Sequence, residues 1–373
     1  MDSCDILIVG GGPAGSSCAW KLRNSGLDVA VLDQHTFPRD KICGGWITPA
    51  VLKELEIDPC EYAREHVLQP ITGFRTGAIG GASVETDYGK PVSYGIRRRE
   101  FDEYLLRRSG ARLLEGIRLT SLERSGDSWI ANGAIRSRMV VGSGGHFCPV
   151  ARLTGAKTNP EAAVVAQEAE FQMESGQVAS CRVRPDIPEL YFCPDMKGYG
   201  WCFRKNDFLN VGLGRMDPHR LPEHVSGFLQ FLGSTDRLGF DLPSAPLGHA
   251  YLLYGSSSRN VVGEGLLLIG DAAGLAYPQS GEGIRPAVES GIIAARAIAA
   301  ADGTYSLKRL ENYRELLTSH FGATGQDFVT SVGRRMPAAV IGAVGRHLLS
   351  MRWFTREVVL NRWFLRNDQP MVN

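Results

Sequence analysis

The sequence lacks the features that mark several classes of protein. Its 373 residues contain no uncharged apolar run of about 18 residues, so no membrane-spanning helix is expected. The first residues, MDSCDILIVGGG, have no basic region and no cleavage site, which predicts no signal peptide. A net charge of only +1 gives no broad basic field, so no nucleic-acid partner is expected.

The cysteines show neither the spacing of a zinc site nor that of a disulfide framework. The eight cysteines form no CxxC pair and no Cys/His spacing typical of zinc, so no metal site is predicted. Their scatter through a long chain favours reduced thiols over a disulfide framework. We therefore expect a cytoplasmic protein, either free or in peripheral contact with a membrane.

Glycine is abundant, with 44 residues that lie in clusters. The first cluster, GGGPAG, follows the apolar run DILIV and precedes a helix-compatible stretch that closes at Gly26. The run DVAVLD then reads as a second buried strand. A strand, a helix and a second strand in this order predict a β-α-β unit.

The spacing of this first cluster suits a dinucleotide. Gly10 allows a tight turn, Gly12 lets a pyrophosphate approach the backbone, and Gly15 lets the helix pack on the strand. The N-terminus of the helix presents free N–H groups to phosphates. Asp33, at the end of the second strand, can accept hydrogen bonds from a ribose diol.

The second set of glycines lies in IGDAAG and SGEGIRPA, which precede a helical stretch at 283–301. Asp271 can bind a ribityl chain, with small residues beside it. Gly281, Gly283 and Ile284 can bring helix N-terminal amides to a flavin ring, where their partial positive charge stabilises the negative charge of the reduced ring.

The middle of the chain has a different pattern. Short β-like segments separated by Pro and Gly are typical of an antiparallel sheet, and they read AVVAQEAEFQM, QVASCRVRP, ELYFCP, GYGWCFRK and FLNVGLGRM. We predict a discontinuous FAD-binding domain of residues 1–155 and 255–300, a substrate domain of residues 156–254 that includes part of 60–95, and a helical region of residues 301–373.

Several of these motifs together resemble the FAD-dependent geranylgeranyl reductase family, within the para-hydroxybenzoate hydroxylase-like flavoproteins. They are GGGPAG, LDQHTFPRDKICGG, RREFD and GDAAGLAYPQSGEGIRPAVESG. The resemblance implies an α/β fold with a Rossmann-like (GR2-type) FAD-binding domain, an inserted antiparallel-sheet substrate domain and a helical C-terminus. The motifs and the resemblance place these residues at FAD: Gly10, Gly12, Pro13, Ala14, Gly15, Asp33, Cys43, Gly44, Gly45, Arg98, Leu119, Asp271, Gly281, Gly283 and Ile284.

The segment GYGWCFRK places Tyr199, Trp201 and Phe203 on one face of a strand. It is similar to the Tyr-x-Trp-x-Phe-Pro signature of the prenyl reductases, with Arg204 in place of the proline. These residues are expected to line an apolar substrate tunnel, or alternatively to form an aromatic stripe in a sheet core. Gln167 and Glu168, on a neighbouring β-like segment, are expected to face solvent, with the alternative that one of them faces the cavity.

The resemblance implies an FAD-dependent oxidoreductase that reduces carbon–carbon double bonds of an apolar, isoprenoid substrate. Cys43 is the candidate proton donor or substrate contact, or else it packs beside the ring. Gly144 stands where many relatives carry an Asp linked to nicotinamide binding, so the external reductant stays open between NADPH, ferredoxin and another reduced flavin.

Other functions remain compatible with the same fold. A flavin monooxygenase or a halogenase is the main alternative, and a halogenase would need Lys41 or Lys205 beyond the flavin. A flavoprotein that only carries electrons is the third. The Arg- and aromatic-rich C-terminal stretch suits a helix on a membrane surface, a helix over a lipid tunnel, or a helix packed on the substrate domain.

Overall fold

The computed structural model describes residues 1–156, 161, 163–256, 259–322 and 338–372. The strands, in chain order, are β1 Asp2–Val9, β2 Val29–Leu32, β3 Trp46–Ile47, β4 Leu68–Ile71, β5 Gly73–Ala78, β6 Ser83–Asp87, β7 Ser93–Ile96, β8 Arg112–Leu114, β9 Leu122–Ser125, β10 Ser128–Ala131, β11 Ile135–Gly142, β12 Val164–Gln172, β13 Glu189–Phe192, β14 Gly198–Lys205, β15 Phe208–Arg215, β16 Leu247–Tyr251, β17 Val262–Gly263 and β18 Leu266–Leu268. The helices are α1 Pro13–Leu22, α2 Pro49–Glu54, α3 Pro59–Tyr62, α4 Arg98–Arg107, α5 Pro149–Leu153, α6 Ser175–Ser180, α7 Leu221–Ser234, α8 Ile284–Ala300, α9 Leu307–Phe321 and α10 Ala338–Leu349, with a 3-10 turn at Gly270–Ala272 and a π-helical segment at Phe354–Phe364.

A largely parallel sheet forms the first layer. Strands β18, β11, β1, β2 and β8 run parallel in that order, and β17 and the β9–β10 ribbon add antiparallel pairs. The apolar run of β1 is buried, as expected for a strand covered on both faces. Helices α1 and α8 pack closely on each other: a side chain at Gly291 would overlap the carbonyl of Ala14. This layer is the β-α-β fold that the sequence predicts.

A seven-stranded sheet, ordered β16-β12-β15-β14-β13-β5-β6, forms the second layer. Its strand pairs are antiparallel except for β13 with β5, which is parallel. Through this pair, β5 and β6 (residues 73–87) join strands that lie much later in the chain. A small third sheet, β3-β7-β4, holds the chain on either side of these strands.

One predicted strand is wrong. The segment QVASCRVRP does not form a strand: its first part lies in α6, and Cys181 and Arg184 make only isolated bridges. Glu174 and Gln177 form a capping box at the start of this helix, each side chain accepting from the other residue's backbone N–H. The cap fixes a helical turn where the apolar pattern alone favoured a strand.

The C-terminal part is helical, as predicted, and covers the second layer. Val359, Leu360 and Phe364 of the π-helical segment are buried in one apolar cluster with Phe74 and Trp201 of the seven-stranded sheet. Tyr88 donates a hydrogen bond to Asn361 at 2.7 Å. Within the described residues, no helix combines the length and apolar character needed to span a bilayer.

Candidate functional site

A cavity of about 480 Å³ joins the Gly-rich loops of the first layer to the inner face of the seven-stranded sheet. This size lies in the range of ligand-binding cavities. The residues predicted at the site that line it are Gly10, Gly12, Pro13, Ala14, Asp33, Cys43, Gly44, Gly45, Arg98, Leu119, Tyr199, Trp201, Phe203, Asp271, Gly281, Gly283 and Ile284. Gly15 lies behind them, where a side chain would overlap the Gly10 carbonyl and stand 2.7 Å from Ser143 Oγ.

One end of the cavity is formed by the first Gly-rich loop and the N-terminus of α1. Gly10 has φ +118° and lies against Ser143, which leaves no room for a side chain. Gly12 caps α1 without any side-chain hydrogen bond, so the first amides of the helix stay available. Asp33 accepts hydrogen bonds from the backbone N–H of Gly11 (2.7 Å) and of His35 (2.9 Å), which fixes its carboxylate at the rim.

Basic side chains occupy the centre of the cavity. Arg98 is buried rather than exposed, and its guanidinium donates to both carboxylate oxygens of Asp102, at 2.7 and 2.8 Å. Arg39 makes a second ion pair with Asp102 at 3.1 Å. Because Asp102 is fully buried, it holds both guanidinium groups in fixed positions.

A lysine and a histidine also line the cavity. Lys41 Nζ lies 3.2 Å from His249 Nδ1. Burial and the positive charge of Lys41 lower the pKa of His249 to about 3, so this imidazole is neutral and accepts the hydrogen bond. Lys205 is different: it is buried, does not line the cavity, and pairs with Glu170 at 2.6 Å.

The far end of the cavity lies at the N-terminus of α8. Asp271 belongs to the 3-10 turn rather than to the end of a strand, and burial raises its pKa. Gly281 has φ +68° and lies against the Tyr251 hydroxyl, so a side chain there would overlap Tyr251. Glu282 also lines this end, and its carboxyl oxygens make no hydrogen bond within the described residues; burial raises its pKa to about 8.

The Cys43 loop is held by the inner face of the seven-stranded sheet. Glu168 accepts a short hydrogen bond from the Cys43 backbone N–H, and Asn210 donates to the Cys43 carbonyl at 3.2 Å. Trp201 donates its indole N–H to Asn210 Oδ1 at 2.7 Å. The tryptophan of the aromatic stripe therefore orients the amide that fixes the loop.

The expectation that Glu168 faces solvent is wrong. This residue is 5% exposed and lines the cavity, because β12 directs Ala166, Glu168 and Glu170 to the inner face. Burial raises the pKa of Glu168 to about 7, against the opposing effects of Lys205 and of the Cys43 N–H. The residue opposite on β15 is Gly212, which leaves room for it.

The aromatic stripe of β14 forms an apolar surface of the cavity. Tyr199, Trp201 and Phe203 all line it, with the Tyr199 and Trp201 rings 6.0 Å apart. Phe364 of the π-helical segment completes this surface, 5.4 Å from the Tyr199 ring. Tyr199 donates its hydroxyl to the Ser280 carbonyl, which joins the stripe to the loop before α8. No local sequence pattern places Phe364 here, because it lies far along the chain from β14.

Comparisons with known proteins agree with this geometry. Residues 8–63 match the family model of an NAD(P)-binding Rossmann-like domain. The chain is 30% identical over 345 residues to a menaquinone reductase of Mycobacterium tuberculosis, covering 86% of this chain and 81% of that protein. It is 28% identical over 347 residues to digeranylgeranylglycerophospholipid reductase 2 of Methanosphaera stadtmanae, covering 86% and 85%.

A solved structure shows the same fold. The crystal structure of a geranylgeranyl bacteriochlorophyll reductase-like protein from Thermoplasma acidophilum superposes with a TM-score of 0.73 at 22% identity, covering 94% of this chain and 88% of that one. The predicted α/β fold class is confirmed.

Proposed function

Because the chain belongs to the geranylgeranyl reductase family of FAD-dependent oxidoreductases, we propose that it reduces carbon–carbon double bonds of an apolar isoprenoid substrate. The observation that carries the proposal is the apolar surface of Tyr199, Trp201, Phe203 and Phe364, which faces the same cavity as the Cys43 loop. A prenyl chain has no polar group to bind, so an aromatic surface of this kind is what it requires. The names of the relatives support a prenylated quinone or lipid.

The residues of the cavity fit FAD along its length. Gly12 and the first amides of α1 suit the pyrophosphate, and the fixed carboxylate of Asp33 suits the adenosine ribose. Arg98 stands between these groups and the far end, where Asp271 suits the ribityl chain and the N-terminus of α8 suits the ring. When bound and reduced by an external donor, FAD supplies a hydride.

The residues of the chain itself bind and orient the alkene. An isolated double bond carries no carbonyl that could be polarised, so alignment and a positioned acid must lower the barrier. The aromatic surface excludes water and holds the chain, and Cys43, fixed at both its N–H and its carbonyl, contacts the reacting end. We assign Cys43 as a catalytic residue in this sense.

We propose the external reductant only by its chemical class. A two-electron donor such as NADPH, or a one-electron donor such as ferredoxin acting twice, or another reduced flavin, meets the bound FAD. Gly144 lies near Cys148 and Pro149, where a side chain at Gly144 would stand 2.9 Å from the Pro149 ring. Because position 144 carries no acidic side chain, it offers no carboxylate contact for a nicotinamide nucleotide.

A peripheral contact with the membrane is also part of the proposal. Val344, Met351 and Trp353 are exposed near the C-terminus, with Trp353 67% exposed, and Arg352 and Arg356 lie beside them. An apolar patch with flanking cations suits an anionic lipid surface. We expect co-sedimentation with anionic vesicles to be weakened by Trp353→Ser and unaffected by Leu307→Ala, which alters an exposed apolar residue on α9.

The reaction is tested by reducing the flavoprotein without oxygen and adding candidate acceptors. Prenylated quinones and geranylgeranyl lipids should reoxidise the flavin and leave with one or more double bonds saturated, as mass spectrometry would show. Reoxidation that requires oxygen, with a hydroxylated or halogenated product, would instead identify a monooxygenase or halogenase. If no alkene, oxygen or halide restored the oxidised flavin, the protein would be an electron carrier.

A further inference from the structure

Glu168 places an ionisable group in the cavity beside the Cys43 loop. Its Oε1 accepts the Cys43 N–H, which leaves Oε2 for the cavity that the residue lines. It shares the inner face of the sheet with Trp201, because both stand opposite Gly212 of β15. The carboxyl therefore lies between the aromatic surface and the loop that carries Cys43.

The space for Glu168 depends on the small residue opposite. A side chain at Gly212 would come within 2.6 Å of Glu168 Cβ and 2.5 Å of Trp201 Cζ2. Glycine at this position lets an acid and an indole lie side by side on one face of a sheet. The side chains of Glu168 and Trp201 thus both lie over Gly212, which has no side chain of its own.

The polar and charged groups around Glu168 come from four strands and one loop. Glu170 on the same strand is bound by Lys205 at 2.6 Å, so its negative charge is compensated. Asn210 on β15 reaches Glu170 at 3.2 Å and lowers the pKa of Glu168. On β16, His249 is neutral and pairs with Lys41. Glu168 is left as the carboxyl on this face that holds a proton near neutral pH.

We propose that Glu168 is the proton donor of the reaction, a role that rests on the proposed alkene reduction. The hydride from reduced FAD bonds to one alkene carbon, and the π electrons form a bond from the other carbon to the proton of Glu168 Oε2. The alkene gains two hydrogens, the cofactor is oxidised by two electrons, and the carboxylate takes a new proton from water. Cys43 then holds the substrate without supplying the proton.

The position of the acid suits this step. A general acid works best when its pKa lies near the working pH, and burial sets the Glu168 carboxyl close to 7. Its Oε1 stays bound to a backbone N–H in either protonation state, so the carboxyl does not rotate away after the proton leaves.

The test uses Glu168→Gln in the FAD-loaded protein. Glutamine keeps the size and an amide oxygen for the Cys43 N–H, but it cannot act as an acid. Glu123→Gln on β9, which removes an exposed carboxylate far along the chain, is the matched control. We expect alkene-driven reoxidation of the reduced flavin to slow by about 100-fold or more in Glu168→Gln and to stay at the wild-type rate in Glu123→Gln. FAD affinity should be unchanged in both.

Two pH measurements separate proton donation from a structural role. The wild-type reoxidation rate should fall as pH rises through about 7, whereas the slow rate of Glu168→Gln should be flat there. Infrared spectra of the oxidised holoenzyme should show a carboxyl C=O band that disappears over the same pH range and is missing in Glu168→Gln. Glu282 is present in both proteins, so its own titration cancels in the comparison.

The outcomes distinguish the two proposals. If wild-type protein fails to reduce any prenyl alkene, alkene reduction is refuted and the acid role is refuted with it. If wild-type protein reduces an alkene and Glu168→Gln does so at the same rate, only the assignment of Glu168 is overturned. A carboxyl band that titrates identically in wild type and Glu168→Gln would also overturn it.

Discussion

The replacement of Asn210 by alanine tests the attachment of the Cys43 loop to the sheet. Asn210 is fully buried and makes three contacts: it accepts from Trp201 and donates to the Cys43 carbonyl and to Glu170. Loss of the hydrogen bond to the Cys43 carbonyl should lower the free energy that holds the loop on the sheet by about 1 kcal/mol, the usual net value of one hydrogen bond. The Trp201 indole, left without its acceptor, should cost the sheet a further ~1–3 kcal/mol.

The assay is the rate at which iodoacetamide alkylates Cys43, measured by peptide mass spectrometry. About 1 kcal/mol of lost anchoring predicts a roughly five-fold faster reaction at Cys43. Cys60 is exposed and lies on α3, outside the Cys43 loop, so its rate in the same sample is an internal reference. Asn24→Ala, at an exposed position after α1, is the control variant. An unchanged ratio of Cys43 to Cys60 alkylation in Asn210→Ala would refute the attachment.

Three further outcomes are expected. Gly15→Ala should abolish FAD binding, measured by flavin fluorescence, because the added methyl overlaps the Gly10 carbonyl; Gly176→Ala, with open space around it, should bind FAD normally. Arg98→Ala should destabilise the protein by roughly 1.5–3 kcal/mol in urea titrations, since it removes two hydrogen bonds to a buried carboxylate that keeps Arg39 as a partner, whereas Arg99→Ala on the exposed side should cost little. Because burial raises the pKa of Glu168, its contribution to the free energy of unfolding is full below pH 4.5 and is lost as pH rises through about 7. The free energy of unfolding of Glu168→Gln, relative to wild type, should therefore increase over that range by at most about 3 kcal/mol. A difference that does not change with pH would contradict this prediction.

The placement of the glycine-rich end of the cavity could be predicted from the sequence because its residues are close along the chain. Gly10, Gly12, Gly15 and Asp33 belong to one β-α-β unit whose geometry is local and repeated in many proteins. The same holds for Tyr199, Trp201 and Phe203, since alternation along one strand fixes that they share a face. Local pattern was enough in both regions.

Glu168 could not be placed in the same way. In AVVAQEAEF the alternation separates Ala166, Glu168 and Glu170 from Val165 and Phe171, but two acids on one side suggest solvent. The burial of Glu168 depends on the pairing of this strand with β15, whose Asn210 and Gly212 lie some forty residues later in the chain. Long-range pairing, rather than propensity, decides the burial of such a residue.

The α6 error has a local cause. The capping box of Glu174 and Gln177 is a local signal for the start of a helix, but the β-branched and apolar residues after it favour a strand. Phe364 at the cavity had no local signal, because its position depends on how the C-terminal segment returns to β14.

The Cys43 loop ties two parts of the protein into one mechanical unit. Its backbone is held by strands that shape the substrate cavity, while Gly45 lies so tightly against β7 and Lys205 that it leaves no room for a side chain. A bulkier residue on β15 would therefore shift the surroundings of the cofactor as well as the shape of the cavity. Phe364 belongs to the same unit, because its ring lies 5.5 Å from that of Trp46, the residue directly after Gly45.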